Sequence, residues 1–192
     1  MNKFLLSLDE SIASLASLRE LEGCLRSAAA QCLASLQSGG KLLICGNGGS
    51  AAEAMHLTGE LVGRYKTERR PLAAITLGTD PALFTCIGND YCYDEIFSRQ
   101  VRALGRPADV LIVFSTSGRS ANVLRALQAA REIHIKTIAF LGRDGGPALS
   151  LADEALVVPH TDTARIQEGH QFLMHTLMDL IEDEVAKPAF EH

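Results

Sequence analysis

Three sets of residues in this chain gather the small, hydroxyl-bearing and titratable groups that chemistry needs. The first is GNGGS, residues 46–50, directly after an apolar run. Its glycines let the backbone turn tightly and bring N–H groups close to an oxygen-rich ligand, and a helix beginning at Ser50 would add its positive end. A plain tight turn capped by Ser50 would use the same residues, so the loop alone leaves both readings open. The second stretch is STSGRS, residues 115–120, also after an apolar run. Capping accounts for Ser120 but not for Ser115, Thr116 and Ser117. Several hydroxyls around a glycine at a helix start make a phosphate cradle that needs no lysine.

The third is a pair of helical stretches. His56 and Glu60 are four residues apart and share one helix face; alone, such a pair is commonly a solvated ion pair. Further on, Arg165, Gln167, Glu168, His170 and His175 punctuate an apolar stretch with Ile166, Phe172, Leu173, Leu177 and Leu180. Gln167 and His175 are separated by about 80° around a helix and about 12 Å along it. Glu168 is the better aligned with His175 by angle. Periodicity leaves both open, and some of these polar residues belong to the exposed face of an amphipathic helix.

The elements that must position these residues follow from the hydrophobic pattern. Residues 2–37 carry Leu5, Leu8, Ile12, Leu15 and Leu18, then Leu21, Leu25, Cys32 and Leu36, at helical spacing. They predict two helices or one bent helix, ended by Gly39 and Gly40. This arm either packs on its own domain or makes an oligomer contact. Beyond it, short apolar runs alternate with amphipathic stretches. Strands are expected at 41–45, 72–77, 109–114, 136–141 and 155–158, and helices at 50–65, 80–101, 120–133 and 163–186. This is the grammar of an α/β fold with a five-stranded parallel sheet flanked by helices on both faces. Ligands of such sheets sit beyond the carboxyl ends of the strands, where both polar loops fall.

The length of 192 residues fits a single domain spanning 1–192, with a helical arm at 1–37 and an α/β core at 41–186. With 18 basic and 23 acidic residues the formal charge is −5, which offers no general attraction for nucleic acid or an anionic membrane. An anionic ligand must therefore be held locally. No apolar run approaches the ~20 residues of a membrane helix, so no membrane partner is expected. The apolar run at 4–8 is interrupted by Asp9 and Glu10 before a signal-peptide core could form, which points to the cytoplasm. Five cysteines without a C-x-x-C pair predict buried free thiols, not a disulfide framework or a thiolate zinc site.

GNGGSAAEAMH, the Asn89-Asp90 pair, STSGRSANV and ARIQEGHQFLMH together resemble the sugar isomerase (SIS) domain family, within it the branch that isomerises phosphorylated heptoses. The ordered motifs and the N-terminal helices extend the resemblance over nearly the whole chain. It implies a flavodoxin-like SIS domain with an N-terminal helical arm, assembled as a homotetramer whose sites draw on more than one subunit. It implies a phosphorylated seven-carbon sugar as substrate, with sedoheptulose 7-phosphate converted into D-glycero-D-manno-heptose 7-phosphate, the first step toward lipopolysaccharide heptose. Substrate contacts would fall on Asn47, Gly48, Gly49, Glu60, Asn89, Asp90, Ser115, Thr116, Ser117, Ser120 and Gln167. The metal ligands would be His56, Glu60, Gln167 and His175, holding one zinc ion per subunit. The resemblance thus selects Gln167 over Glu168.

Ketose-aldose interconversion removes a proton from carbon beside a carbonyl and returns it to the neighbouring carbon through an enediol, which needs a carboxylate base and a second acid/base group. Glu60 is the expected base and His175 the partner that handles a hydroxyl or ring-oxygen proton. Two rivals compete. A non-catalytic phosphosugar-binding SIS protein, like the partner of the bacterial replication initiator, could keep the phosphate loops but lack the acid/base residues. A nicotinamide dehydrogenase would use Gly46, Gly48 and Ala51 as G-x-G-x-x-A, yet the second strand ends Ile75, Thr76, Leu77, Gly78 with no acidic residue.

Overall fold

The computed structural model describes residues 2–186. Met1 and residues 187–192, which the sequence-derived domain span includes, lie outside the described residues. The arm forms α1 (Lys3–Ser17), a 3₁₀ turn at Leu18–Leu21, and α2 (Glu22–Gln37), so it is two helices joined by a tight corner. The α/β part follows as β1 (Leu42–Gly46), α3 (Gly49–Val62), β2 (Ala74–Thr76), α4 (Pro81–Asp90), α5 (Ile96–Leu104), β3 (Val110–Ser115), α6 (Ala121–Glu132), β4 (Lys136–Gly142), α7 (Ala148–Leu151), β5 (Glu154–Val158) and α8 (Thr163–Val185). All strands pair in parallel, in the order β2-β1-β3-β4-β5.

Side chains of successive strand residues point to opposite faces, and both faces are covered. Leu42, Ile44, Ile112, Phe114 and Phe140 pack with α2, α3 and α8 on one side. Leu43, Cys45, Leu111, Val113 and Leu141 pack with α5 and α6 on the other. Double burial explains why β3 reads as an unbroken apolar run. Asp109 fixes the relative position of β1 and β3 by accepting from the Lys41 backbone N–H at 2.9 Å and the Lys41 ammonium at 2.6 Å. The order reverses direction between β1 and β3, and at this switch point the loops leaving both strands open a crevice suited to a ligand.

The structure departs from the sequence expectations in several places. The strand expected at 72–77 is regular only over Ala74–Thr76. It is the sheet edge: beyond its regular part the Ala73 carbonyl accepts from the Leu42 N–H and the Leu77 N–H donates to the Ile44 carbonyl, while the Leu72 N–H turns to the Leu61 carbonyl of α3. The helical material at 80–101 divides into α4 and α5, because Cys92 is fully extended between them (φ −167°, ψ 165°). Ser50 is not a cap: α3 is preceded by Gly48 at the cap position, and Ser50 is buried within the first turn. Of the thiols, all free, Cys32 and Cys45 are buried, but Cys86 and Cys92 are exposed.

The arm splits in its role. The inner face of α2 buries Leu25, Ala28, Ala29, Cys32 and Leu36 in the core, whereas α1 buries only Ser14. Its apolar residues remain uncovered in the single chain, with Phe4 at 72% and Ile12 at 57% exposure. Arg165 of α8 ties α1 down by donating to the Ser7 carbonyl and hydroxyl, both at 2.7 Å.

Candidate active site

The loop after β3 is built to leave hydroxyl hydrogens unspent. Ser115 Oγ accepts from the Gly118 N–H at 3.1 Å, and Ser117 Oγ accepts from the Arg119 N–H at 3.2 Å. With these bonds made through oxygen, each O–H can still donate to a ligand. Ser120 stands at the cap position of α6, yet its side chain makes no capping bond. The turn requires Gly118: its φ is +60°, and a Cβ there would lie 1.9 Å from the Gly145 carbonyl oxygen. Across the switch point, Asn47 and Ser50 meet Ser115, Thr116, Ser117 and Ser120 around a cavity of about 70 Å³. The glycine loop and the hydroxyl loop are thus one site. Uncharged donors converging at helix starts suit a phosphate group.

The second half of the site lies between α3 and α8. Ligand atoms of His56, Glu60 and His175 all fall within 4.8 Å of one another. His56 Nε2 is 2.9 Å from Glu60 Oε1. The amide nitrogen of Gln171 is 3.0 Å from His56 Nδ1 and 2.9 Å from His175 Nε2, so one N–H group reaches each imidazole. Tyr65 stacks on His175, with ring centroids 5.6 Å apart and 22° between planes. Burial lowers the His175 pKa, and the neighbouring His56 adds to this. His175 therefore favours the neutral form, whose lone pair can bind a metal or take a proton.

The loop after α3 is held by Glu182, which is buried on α8. Its carboxylate accepts from the backbone N–H groups of Tyr65 at 3.2 Å and of Lys66 and Thr67 at 3.1 Å. Arg69 Nε adds a bond at 3.2 Å. Three converging N–H groups and a guanidinium satisfy a buried carboxylate, and the result is a fixed seat for Tyr65 against His175.

The remaining sequence-derived candidates distribute as follows. Gln167 is folded over the glycine loop, where a Cβ on Gly49 would meet its amide nitrogen at 2.1 Å. Glu168 faces away, paired with Arg165 at 2.6 Å. His170 is a core residue: its Nε2 donates to the Leu141 carbonyl at 2.9 Å, and its Nδ1 faces the buried Glu53 at 3.5 Å. Asn89 and Asp90 lie exposed at the end of α4, where Asn89 donates to Asp90 at 2.8 Å. That bond, with a second from Cys86, keeps the Asp90 carboxyl below its usual range. Among the described residues neither contacts the hydroxyl loop through a hydrogen bond. Gln171, Tyr65, Tyr93 and Asn122 are participants that sequence reasoning missed. Only Gln171 carried a signal, standing one helical turn before His175.

The donor set of two imidazoles and a carboxylate suits a divalent transition ion. The three side chains are close enough to share an ion, but Glu60 meets His56 at Nε2 while the Gln171 amide joins His56 Nδ1 to His175 Nε2, so holding one ion requires Gln171 to move aside and the rings to turn toward the carboxylate.

A doubly wound sheet with a hydroxyl cradle at its switch point and titratable groups on the flanking helices describes a class of phosphosugar proteins. Residues 8–142 match the SIS domain family, and the chain belongs to it. The relatives it resembles include the phosphoheptose isomerase of Helicobacter pylori strain P12, 51% identical over 170 residues and 88% of both chains. Among solved structures, it resembles the phosphoheptose isomerase of Neisseria gonorrhoeae, with a TM-score of 0.89, 45% identity, and 94% of this chain and 97% of that one covered. That of Francisella tularensis gives a TM-score of 0.91 at 38% identity, with the same coverage of 94% and 97%.

Proposed function

We propose that this chain is a phosphoheptose isomerase, an aldose-ketose isomerase that converts D-sedoheptulose 7-phosphate into D-glycero-D-manno-heptose 7-phosphate. The observation that carries the reading is the joining of Glu60 and His175 in one cluster, in a chain that also keeps a hydroxyl cradle between β1 and β3. A non-catalytic phosphosugar binder would need only the cradle, and that rival has no support from the relatives. The dehydrogenase rival also falls, because Gln167 covers Gly49, and the loop's partners are serine and threonine hydroxyls.

In this reading, Ser115, Thr116, Ser117 and Ser120 hold the phosphate, with Asn47, Gly48 and Gly49 closing over it from β1. Asn89, Asp90 and Gln167 contact the sugar hydroxyls. Glu60 takes the proton from carbon beside the carbonyl and returns it to the adjacent carbon, while His175 moves a hydroxyl or ring-oxygen proton. His56, Glu60, His175 and Gln167 would hold the metal ion, zinc, one per subunit, with Gln167 turning from the glycine loop to join the other three. When bound, such an ion supplies a positive charge that polarises the carbonyl and stabilises an enediolate.

In the same reading the chain assembles as a homotetramer, and each site draws on more than one subunit. The exposed apolar face of α1 is a surface suited to burial between subunits. We place the enzyme in the cytoplasm, acting at the start of lipopolysaccharide heptose synthesis; no helix among the described residues is long and apolar enough to cross a membrane. Direct assay of sedoheptulose 7-phosphate turnover tests the reading. Formation of the aldose phosphate supports it, and its absence in metal-replete protein refutes it.

A further inference from the structure

Asn47 enters the crevice from the glycine loop with almost all of its hydrogen-bonding capacity already committed. Its Oδ1 accepts from Asn122 Nδ2 and from the Tyr93 hydroxyl, both at 2.8 Å, which fills both lone pairs. Its Nδ2 donates to Asn122 Oδ1 at 2.9 Å. One N–H is left over, on a residue that lines the cavity between the two loops.

The orientation of this amide is decided outside Asn47. Tyr93 can donate or accept, so it cannot choose between the two ways of placing the Asn47 amide. Asn122 can, because its Oδ1 also accepts the backbone N–H of Val123 at 2.9 Å, a group that only donates. That bond fixes which end of the Asn122 amide is oxygen. The reciprocal pair then fixes Asn47. Asn122 is 1% exposed, in the first turn of α6, and has no direct access to solvent or ligand.

We infer that Asn122 is a positioning residue for sugar-phosphate binding: it locks the Asn47 amide so that a single N–H donor, and no acceptor, remains for the anion. The inference rests on the reading of the cavity as the phosphate site. A freely rotating amide would present its carbonyl oxygen to the anion part of the time, and the locked one does not.

The test is a double-mutant cycle on turnover of sedoheptulose 7-phosphate by the full chain, with Asn47→Ala, Asn122→Ala and the double variant, each checked for fold by circular dichroism. Each single change should raise KM by about 10-fold with a smaller effect on kcat, the scale of one lost bond to a charged group. The double variant should be no worse than Asn47→Ala, because Asn122 then has nothing left to orient. Asn122→Asp keeps the shape and the Val123 bond but sets oxygen against oxygen. Its KM, relative to wild type at the same pH, should recover as the pH falls and the carboxyl regains a proton to donate. Additive losses in the double variant, a normal KM for Asn122→Ala beside a raised one for Asn47→Ala, or an Asn122→Asp defect indifferent to pH would each overturn the inference. A normal KM for Asn47→Ala would instead overturn the phosphate-site reading beneath it.

Discussion

His56 and Glu60 stand one turn apart on α3 with Nε2 and Oε1 separated by 2.9 Å, and the Glu60 side chain is only 21% exposed. A contact that reads in sequence as an ordinary surface ion pair is in fact turned toward α8, where His175 completes the cluster. The pair is therefore positioned by tertiary packing and not by its own attraction, which in an exposed setting is worth at most about 1 kcal/mol.

If these residues surround one ion, removing a ligand removes metal. His56→Ala should lower the zinc content of purified protein and raise its sensitivity to chelators. Elemental analysis is the measurement, and equal zinc in variant and wild type would contradict the assignment.

The hydroxyl loop predicts a loss of binding without a loss of fold. Ser115→Ala with Ser117→Ala removes two O–H donors whose oxygens serve only local backbone N–H groups. Each charge-assisted bond is worth about 1.5 to 3 kcal/mol, so calorimetry should register a marked weakening for the phosphorylated sugar. Unchanged affinity would remove the cradle.

Much of this arrangement was legible in the sequence because parallel strands buried on both faces must be apolar throughout. Runs such as 110–114 leave little choice, and the polar residues that follow them must lie at the strand ends. The break at Cys92 was not legible, since apolar spacing continues on both sides of it, and α7 is a single turn with no period to detect. Within α8, angle alone favoured Glu168, but Arg165 draws that carboxylate away. The contact of Gln171 with both histidines depends on how α3 crosses α8, which no spacing rule encodes. Ser120 illustrates the opposite case: its place before α6 was readable, and the structure adds that the hydroxyl is not consumed by capping.

Glu182 gives a pH prediction. Burial alone would raise its carboxyl, but the N–H groups of Thr67, Lys66 and Tyr65 and the Thr67 hydroxyl outweigh that and hold it below the ordinary glutamate range. A folded pKa below the unfolded one means that its stabilising contribution is complete above the unfolded value of about 4.3 and is lost as the pH falls through the folded value. Glu182→Gln should cost on the order of 3 kcal/mol at pH 7, because the buried Arg69 guanidinium keeps its bonds to backbone carbonyls but loses its counter-charge. Chemical denaturation should show the gap to wild type narrowing below about pH 4.3. A gap constant with pH would contradict the role given to the carboxylate.

The uncovered face of α1 predicts association. Static light scattering at micromolar concentration should report a mass about four times that of the chain, the homotetramer of our reading. A particle of 20.6 kDa would contradict it.

If Glu60 is the base, its removal must slow exchange of solvent deuterium into the sugar carbon beside the carbonyl. Glu60→Gln keeps the size and hydrogen-bonding reach of the side chain but cannot take the proton. With zinc content matched to wild type, the variant should still bind sedoheptulose 7-phosphate through Ser115, Thr116, Ser117 and Ser120, while exchange followed by NMR slows by about 10² to 10⁴-fold. Exchange at the wild-type rate in that metal-matched variant would show that another residue moves the proton and that Glu60 is not the base.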